Sequence, residues 1–145
     1  MKPMLIFVRS VGLGTALLCG SLNAQSHPKS QRMGNPIRAT FCEIAKNPAK
    51  FNGKEVRFDA QYEGPWVDSS ALVDMNCSDV DIAPDVPHSA KGADALRDAY
   101  KSGNLGTLDK EIDATWTGTF FWRPGQMPSR LLKVHVIENL SVSKK

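Results

Sequence analysis

The residue types able to do chemistry in this chain gather in its middle. From Phe58 to Ala90 there is no Lys or Arg, while Asp59, Glu63, Asp68, Asp74, Asp79, Asp81 and Asp85 supply carboxylates at short intervals. Carboxylates at that density attract cations and repel phosphates. A calcium loop would be the sharpest form of such chemistry, and Asp74, Asn76 and Ser78 have its alternating spacing. The loop also needs Gly at its sixth position and Glu at its twelfth, where Asp79 and Asp85 stand, so no metal site is assigned. Asp74, Asp79 and Asp81 are instead expected to belong to an acidic face that binds a cationic group. Hydrolytic chemistry needs a His beside a nucleophile. His27 falls in a polar lead-in, His88 among prolines and His135 inside an expected strand, so no catalytic residue is assigned. No Gly-rich phosphate loop is present and no cofactor is expected. Trp66, Phe121, Trp122 and Arg123 complete the candidates, as groups that stack on a sugar, base or peptide side chain.

The whole chain has 145 residues, 18 Lys+Arg against 15 Asp+Glu and 41% hydrophobic residues, which allows one domain and a modest core. Its first segment has the make-up of an export signal: Lys2 and Arg9, an apolar run from Val11 to Cys19, then Leu22-Asn23-Ala24 as a small-residue cleavage pattern. Residues 1–24 are therefore expected to be a signal peptide, residues 25–36 a polar lead-in, and residues 37–145 a periplasmic or secreted domain with no membrane span. Removing Lys2 and Arg9 leaves 16 Lys+Arg against 15 Asp+Glu, so the weakly basic balance of the full chain nearly vanishes. Cys42 and Cys77 then remain as one pair in an oxidising compartment and are expected to form a disulfide.

Local patterns divide the rest into elements. Thr40-Phe41-Cys42-Glu43 fits a capping box and predicts a short helix over 41–46, ended by Asn47-Pro48. Gly53 supplies a turn. Val56, Phe58, Ala60 and Tyr62 alternate with polar residues, the signature of a half-buried strand. A second strand is expected over 71–75 and a third over 80–83, closed by Pro84 and Pro87. Ala93, Leu96, Ala99 and Tyr100 have helical spacing within 89–102, with Gly103 as its C-terminal cap. Ile112, Ala114, Trp116, Gly118, Phe120 and Trp122 share one face of a fourth strand, with Gly118 marking a bulge. Leu131 to Ile137 gives a fifth, with Leu140 and Val142 extending the pattern after a break at Glu138-Asn139.

Five strands with a helix between the third and fourth match the OB-fold, a small, partly open barrel, here mainly β with two short helices. A small β-sandwich is the alternative, although it wants more strands and no central helix. Asn47-Pro48-Ala49-Lys50-Phe51-Asn52-Gly53-Lys54-Glu55-Val56 resembles the approach to the first strand of small exported bacterial OB-fold-like proteins. Leu72-Val73-Asp74 followed by Asp79-Val80-Asp81-Ile82 is similar to the second and third strands of the periplasmic bacterial OB-fold family, with Asn76-Cys77 where that family has Gly. The resemblance implies a cationic ligand. The expected function is a non-enzymatic exported binding domain for a protein or small cationic molecule, with a small hydrolase and a structural envelope component as alternatives. Nucleic acid is disfavoured as a partner by the stretch without Lys or Arg.

Overall fold

A computed structural model describes residues 34–64, 70–102, 107 and 109–145. All of them lie in the second of the two units into which the chain divides, Arg32–Lys145. The expected signal peptide and most of the lead-in, with His27, fall outside the described residues, as do Trp66 and Gly103.

The chain runs through β1 (Ile37–Arg38), α1 (Phe41–Lys46), α2 (Pro48–Phe51), β2 (Glu55–Glu63), β3 (Ala71–Val73), a 3-10 turn (Met75–Cys77), β4 (Ala83–Asp85), α3 (Ala93–Lys101), β5 (Lys110–Trp122) and β6 (Arg130–Lys144). The capping box forms as its sequence dictates. Thr40 Oγ1 accepts from the Glu43 amide at 3.2 Å, and the Glu43 carboxylate accepts from the Thr40 amide at 2.8 Å. Those hydrogen bonds, the backbone one first, hold the Glu43 carboxyl below the ordinary carboxylate value. Pro48 then opens α2 at its first turn, where its missing N–H costs nothing, so the expected single helix is followed by a second. With α3 this makes three short helices where two were expected.

The Cys42–Cys77 disulfide forms, with a Cα–Cα distance of 5.8 Å, and ties α1 to the 3-10 turn across 35 residues of chain. On the chain-entropy picture a closure of that length stabilises the fold by about 4 kcal/mol.

Six strands form one mixed sheet that is not closed, in the order β1-β2-β5-β6-β4, with β3 also paired to β2. The strand beyond the five expected is the two-residue β1, which pairs in parallel with the start of β2. β2 with β5 and β5 with β6 are antiparallel and make up most of the pairing. The third expected strand is displaced. Ile82 only bridges Leu72, and β4 continues through Pro84, in parallel register with Leu131–Lys133 of β6. Pro84 does not end the strand because β4 is an edge strand, where a residue without an N–H is tolerated if that side faces no neighbour.

The core lies on one face of β5, where Ile112, Trp116 and Phe120 are fully buried with Phe41, Ile44, Leu72, Ile82 and Leu132. Trp116 stacks on Tyr62 with ring centroids 6.0 Å apart, and its indole N–H donates to Ala60 O at 3.0 Å, so the large ring is buried with its polar atom satisfied. The bulge at Gly118 is present as a register shift between Thr117 and Gly118. A Cβ there would stand 2.3 Å from Lys133 O, which is why the position must be Gly. β6 does not stop at Glu138-Asn139. It passes through a second register shift, with Asn139 in the left-handed region at φ 51°, and runs on to Lys144.

α3 begins at Ala93, the first residue of its apolar spacing, and not at 89 where the expected helix opened. Lys91 pairs with β6, donating to His135 O at 3.0 Å and accepting from the Ile137 amide at 2.8 Å, so the helix cannot start until Gly92 has turned the chain at φ 85°. Its other end is held by Lys110, which is buried and donates through Nζ to the carbonyls of Ala99, Tyr100 and Ser102. A lysine in that position satisfies the orphan carbonyls and complements the helix dipole.

Candidate functional site

The face of β2 and β5 opposite the core carries the strongest concentration of functional groups. Strand alternation places Asp59 and Gln61 of β2 there, facing Thr115 and Asp113 of β5 in register. Thr115 Oγ1 donates to Asp59 Oδ1 at 2.5 Å and accepts from Asn139 Nδ2 at 3.1 Å. Asn139 reaches Thr115 because the irregularity in β6 turns its backbone into the left-handed region, which Asn tolerates better than most residues. Thr115 is thereby 8% exposed, and the three side chains form a cross-strand chain over β2, β5 and β6.

Two adjoining depressions share Asp59, Asp74, Thr115 and Asn139 as their common floor. The first, of about 530 Å³, adds Glu111 and Asp113 and has no Lys or Arg in its lining. The second, of about 590 Å³, adds Arg38, Arg57 and the Ala39–Phe41 segment. Asp74 reaches this position because the 3-10 turn fixes it: its Oδ1 accepts from the Asn76 amide at 2.7 Å and from Asn76 Nδ2 at 2.9 Å. The disulfide at the last residue of that turn, Cys77, anchors the same segment to α1. The result is a groove with Glu111 and Asp113 at one end, Asp59 and Asp74 in the shared floor, and two guanidinium groups, Arg38 and Arg57, at the other end.

Arg57 is partly committed. It donates to Glu138 Oε2 at 2.5 Å, and Lys91 Nζ lies 3.7 Å from the other oxygen of that carboxylate. The Arg57 hydrogen bond, then its charge, hold the Glu138 carboxyl below the ordinary value. Arg38 is exposed and makes no ion pair or side-chain hydrogen bond among the described residues.

Of the residues singled out from sequence, Asp74 lines the groove and Asp79 and Asp81 do not. The latter two are exposed beyond the 3-10 turn. Phe121 and Trp122 lie at the far end of β5, opposite Leu131 and Arg130. Trp122 is half-buried and packs against the core, and Arg123 follows in the turn with Nη2 3.5 Å from Pro128 O. Asp59, Glu111, Asp113, Thr115 and Asn139 were not chosen from sequence. The polar face of the fourth expected strand already contained Asp113 and Thr115, but pairing across three strands, which no local pattern records, brings them to Asp59 and Asn139.

Among the described residues, the hydrogen-bond partners of the two described histidines are an arginine and a glutamate. His88 Nδ1 accepts from Arg97 Nη2 at 2.8 Å, and His135 Nδ1 lies 3.4 Å from Glu55 Oε1. Cys42, Cys77 and Asp74 bring ligand-type atoms within 4.8 Å of one another. The two sulfurs are spent in the disulfide, however, and a metal needs thiolates, so this cluster offers no soft metal site. In comparisons with known proteins, no family model, no curated protein and no solved structure matches this chain.

Proposed function

We propose that this chain is an exported, non-enzymatic binding domain whose acidic groove on β2 and β5 takes a cationic ligand. The observation that carries this reading is the convergence of Asp59, Asp74, Glu111 and Asp113 on one depression of about 530 Å³ whose lining contains no basic residue. Four carboxylates around one concave surface favour an ammonium or guanidinium group through summed electrostatic attraction. The rigid floor adds to it: Asp59 is held by Thr115, Thr115 by Asn139, and Asp74 by its own turn, so little side-chain order is lost on binding. An exported location is supported by the Cys42–Cys77 bond, since disulfides persist in oxidising compartments.

The partly open OB-like barrel remains our reading of the architecture. It is favoured by the position of α3 between β4 and β5 and by the Leu72–Ile82 bridge, which brings β3 beside the segment leading into β4. In such barrels ligands meet the strand 2 and 3 face and its adjoining loops, and Asp74 follows β3 directly.

Calorimetric titration of spermidine, a flexible trication, tests the function. Binding that weakens as salt rises and disappears in an Asp59→Asn/Glu111→Gln/Asp113→Asn variant with unchanged melting temperature is the expected result. Equal affinity in that variant overturns the groove as the site.

A further inference from the structure

A smaller cavity, of about 260 Å³, lies where α3 meets the end of β2 and the segment that follows β4, and it shares no lining residue with the acidic groove. Its walls are largely apolar. Leu96 of α3 and Val86 line it, together with the rings of Tyr62 and Tyr100, which meet edge to face with centroids 6.2 Å apart. No Asp or Glu lines it among the described residues, but Arg97 and His88 do, so its charge is the reverse of the groove's.

Two features of this lining point to a ligand. Tyr62 is 8% exposed, yet its hydroxyl makes no hydrogen bond among the described residues. The Tyr100 hydroxyl, by contrast, is committed and donates to Gly64 O at 3.2 Å. Buried hydroxyls are ordinarily paired, so the one on Tyr62 offers a place for a polar atom of a bound molecule. The second feature is a pair of donors. Arg97 Nη2 lies 2.8 Å from His88 Nδ1, and because a guanidinium only donates, that ring nitrogen accepts. The neutral His88 ring therefore carries its proton on Nε2, as a further donor near the guanidinium. Arg97 also pairs with Asp94 at 2.9 Å, but the Asp94 side chain is 84% exposed, so that solvated pair holds the guanidinium only weakly.

We propose that this cavity binds a small aromatic monocarboxylate, with its carboxylate on Arg97 and His88, its ring against Leu96, Val86 and the two tyrosines, and a polar ring substituent on the Tyr62 hydroxyl. The volume of about 260 Å³ falls below the roughly 300–1,000 Å³ of sites for drug-sized ligands, which limits the occupant to about one ring. Aromatic walls favour an aromatic body through edge-to-face contacts. The site does not depend on the groove or on what the groove binds.

The test titrates 4-hydroxyphenylacetate and its primary amide, 4-hydroxyphenylacetamide, into the native protein, Arg97→Gln and Tyr62→Phe, with melting temperatures measured for each. The acid is expected to bind the native protein about fivefold more tightly than the amide, the scale of one exposed charge pair. In Arg97→Gln that preference disappears. Tyr62→Phe keeps the ring and the preference but weakens both probes about fivefold, the scale of one neutral hydrogen bond. In the native protein, which needs no variant to fold, the acid shifts the amides of Val86, Leu96 and Arg97. Equal affinity for acid and amide in the native protein, binding of neither, undiminished binding by Tyr62→Phe, or shifts centred on Asp59 and Asp113 each overturn the proposal. Spermidine is expected to bind all three proteins alike, so failure of the acid leaves the groove reading standing.

Discussion

The two faces of β5 are built from alternate residues of one strand, yet they do opposite things. Ile112, Trp116 and Phe120 point into the core and are fully buried. Asp113 and Thr115, one residue out of phase, point to the groove, where Asp113 is exposed and Thr115 is covered only by polar partners. The strand backbone is common to both, so what separates them is the neighbours that folding supplies: aromatic rings and aliphatic side chains from α1, β2 and α3 on one side, Asp59, Asn139 and the Asp74 turn on the other. The core face therefore sets stability, and the groove face is the one proposed above to set recognition.

That division can be broken in order of expected effect. Trp116→Ala removes the central ring of the core and should cost about 3–5 kcal/mol of unfolding free energy, read from denaturant titration. Lys110→Met strips two α3 carbonyls, of Ala99 and Tyr100, and the carbonyl of the capping Ser102 of their donor, and a loss of about 2–3 kcal/mol is expected by the same measurement. Thr115→Val keeps the shape of the side chain but removes the link between Asp59 and Asn139. It should cost about 1 kcal/mol and weaken cation binding, so it is the substitution that touches both faces. Asp113→Asn should leave stability within about 0.5 kcal/mol of native while weakening spermidine binding by calorimetry. A large stability loss there would show that Asp113 is structural.

The smallest effect is on the acid limb. Glu138 and Glu43 are both held below the ordinary carboxylate value when folded, by Arg57 and by Thr40. A group whose folded value is lowered binds fewer protons in the native state, so its stabilisation is present above the unfolded value, near 4.3, and is lost as pH falls through the folded one. Glu138→Gln should flatten the decline in stability below about pH 4 relative to native protein. An unchanged slope would mean that the Arg57 pair contributes nothing to it.

Features carried by short spacing were legible in the sequence. Thr40 and Glu43 gave α1 with its capping box, the alternation from Val56 to Tyr62 gave β2, the Trp116 face gave β5, and Gly118 its bulge. Cys42 and Cys77 were legible as a pair for a different reason, because only two cysteines follow the expected signal. Features that depend on a distant partner were not. Pro84 reads as a strand breaker until β6 is seen to lie on one side of it only, and Gly92 reads as a weak first helical turn until Ile137 is found 2.3 Å from where its Cβ would stand. The site follows the same rule. Asp74, Asp79 and Asp81 are equivalent in the sequence, and only the turn that hydrogen-bonds Asp74 separates it from the other two. Asn139 was legible only as part of a break at Glu138-Asn139, and its link to Thr115 was not, since that comes from the backbone irregularity in the strand opposite Thr115.

The most direct test of the acidic groove is a spermidine titration followed by amide chemical shifts in the native protein. Shifts concentrated at Asp59, Asp74, Glu111, Asp113 and Asn139, with the amides near His88 and Phe121 unmoved, are the predicted result. Shifts centred on Asp79 and Asp81, or none at all under low salt, would contradict it.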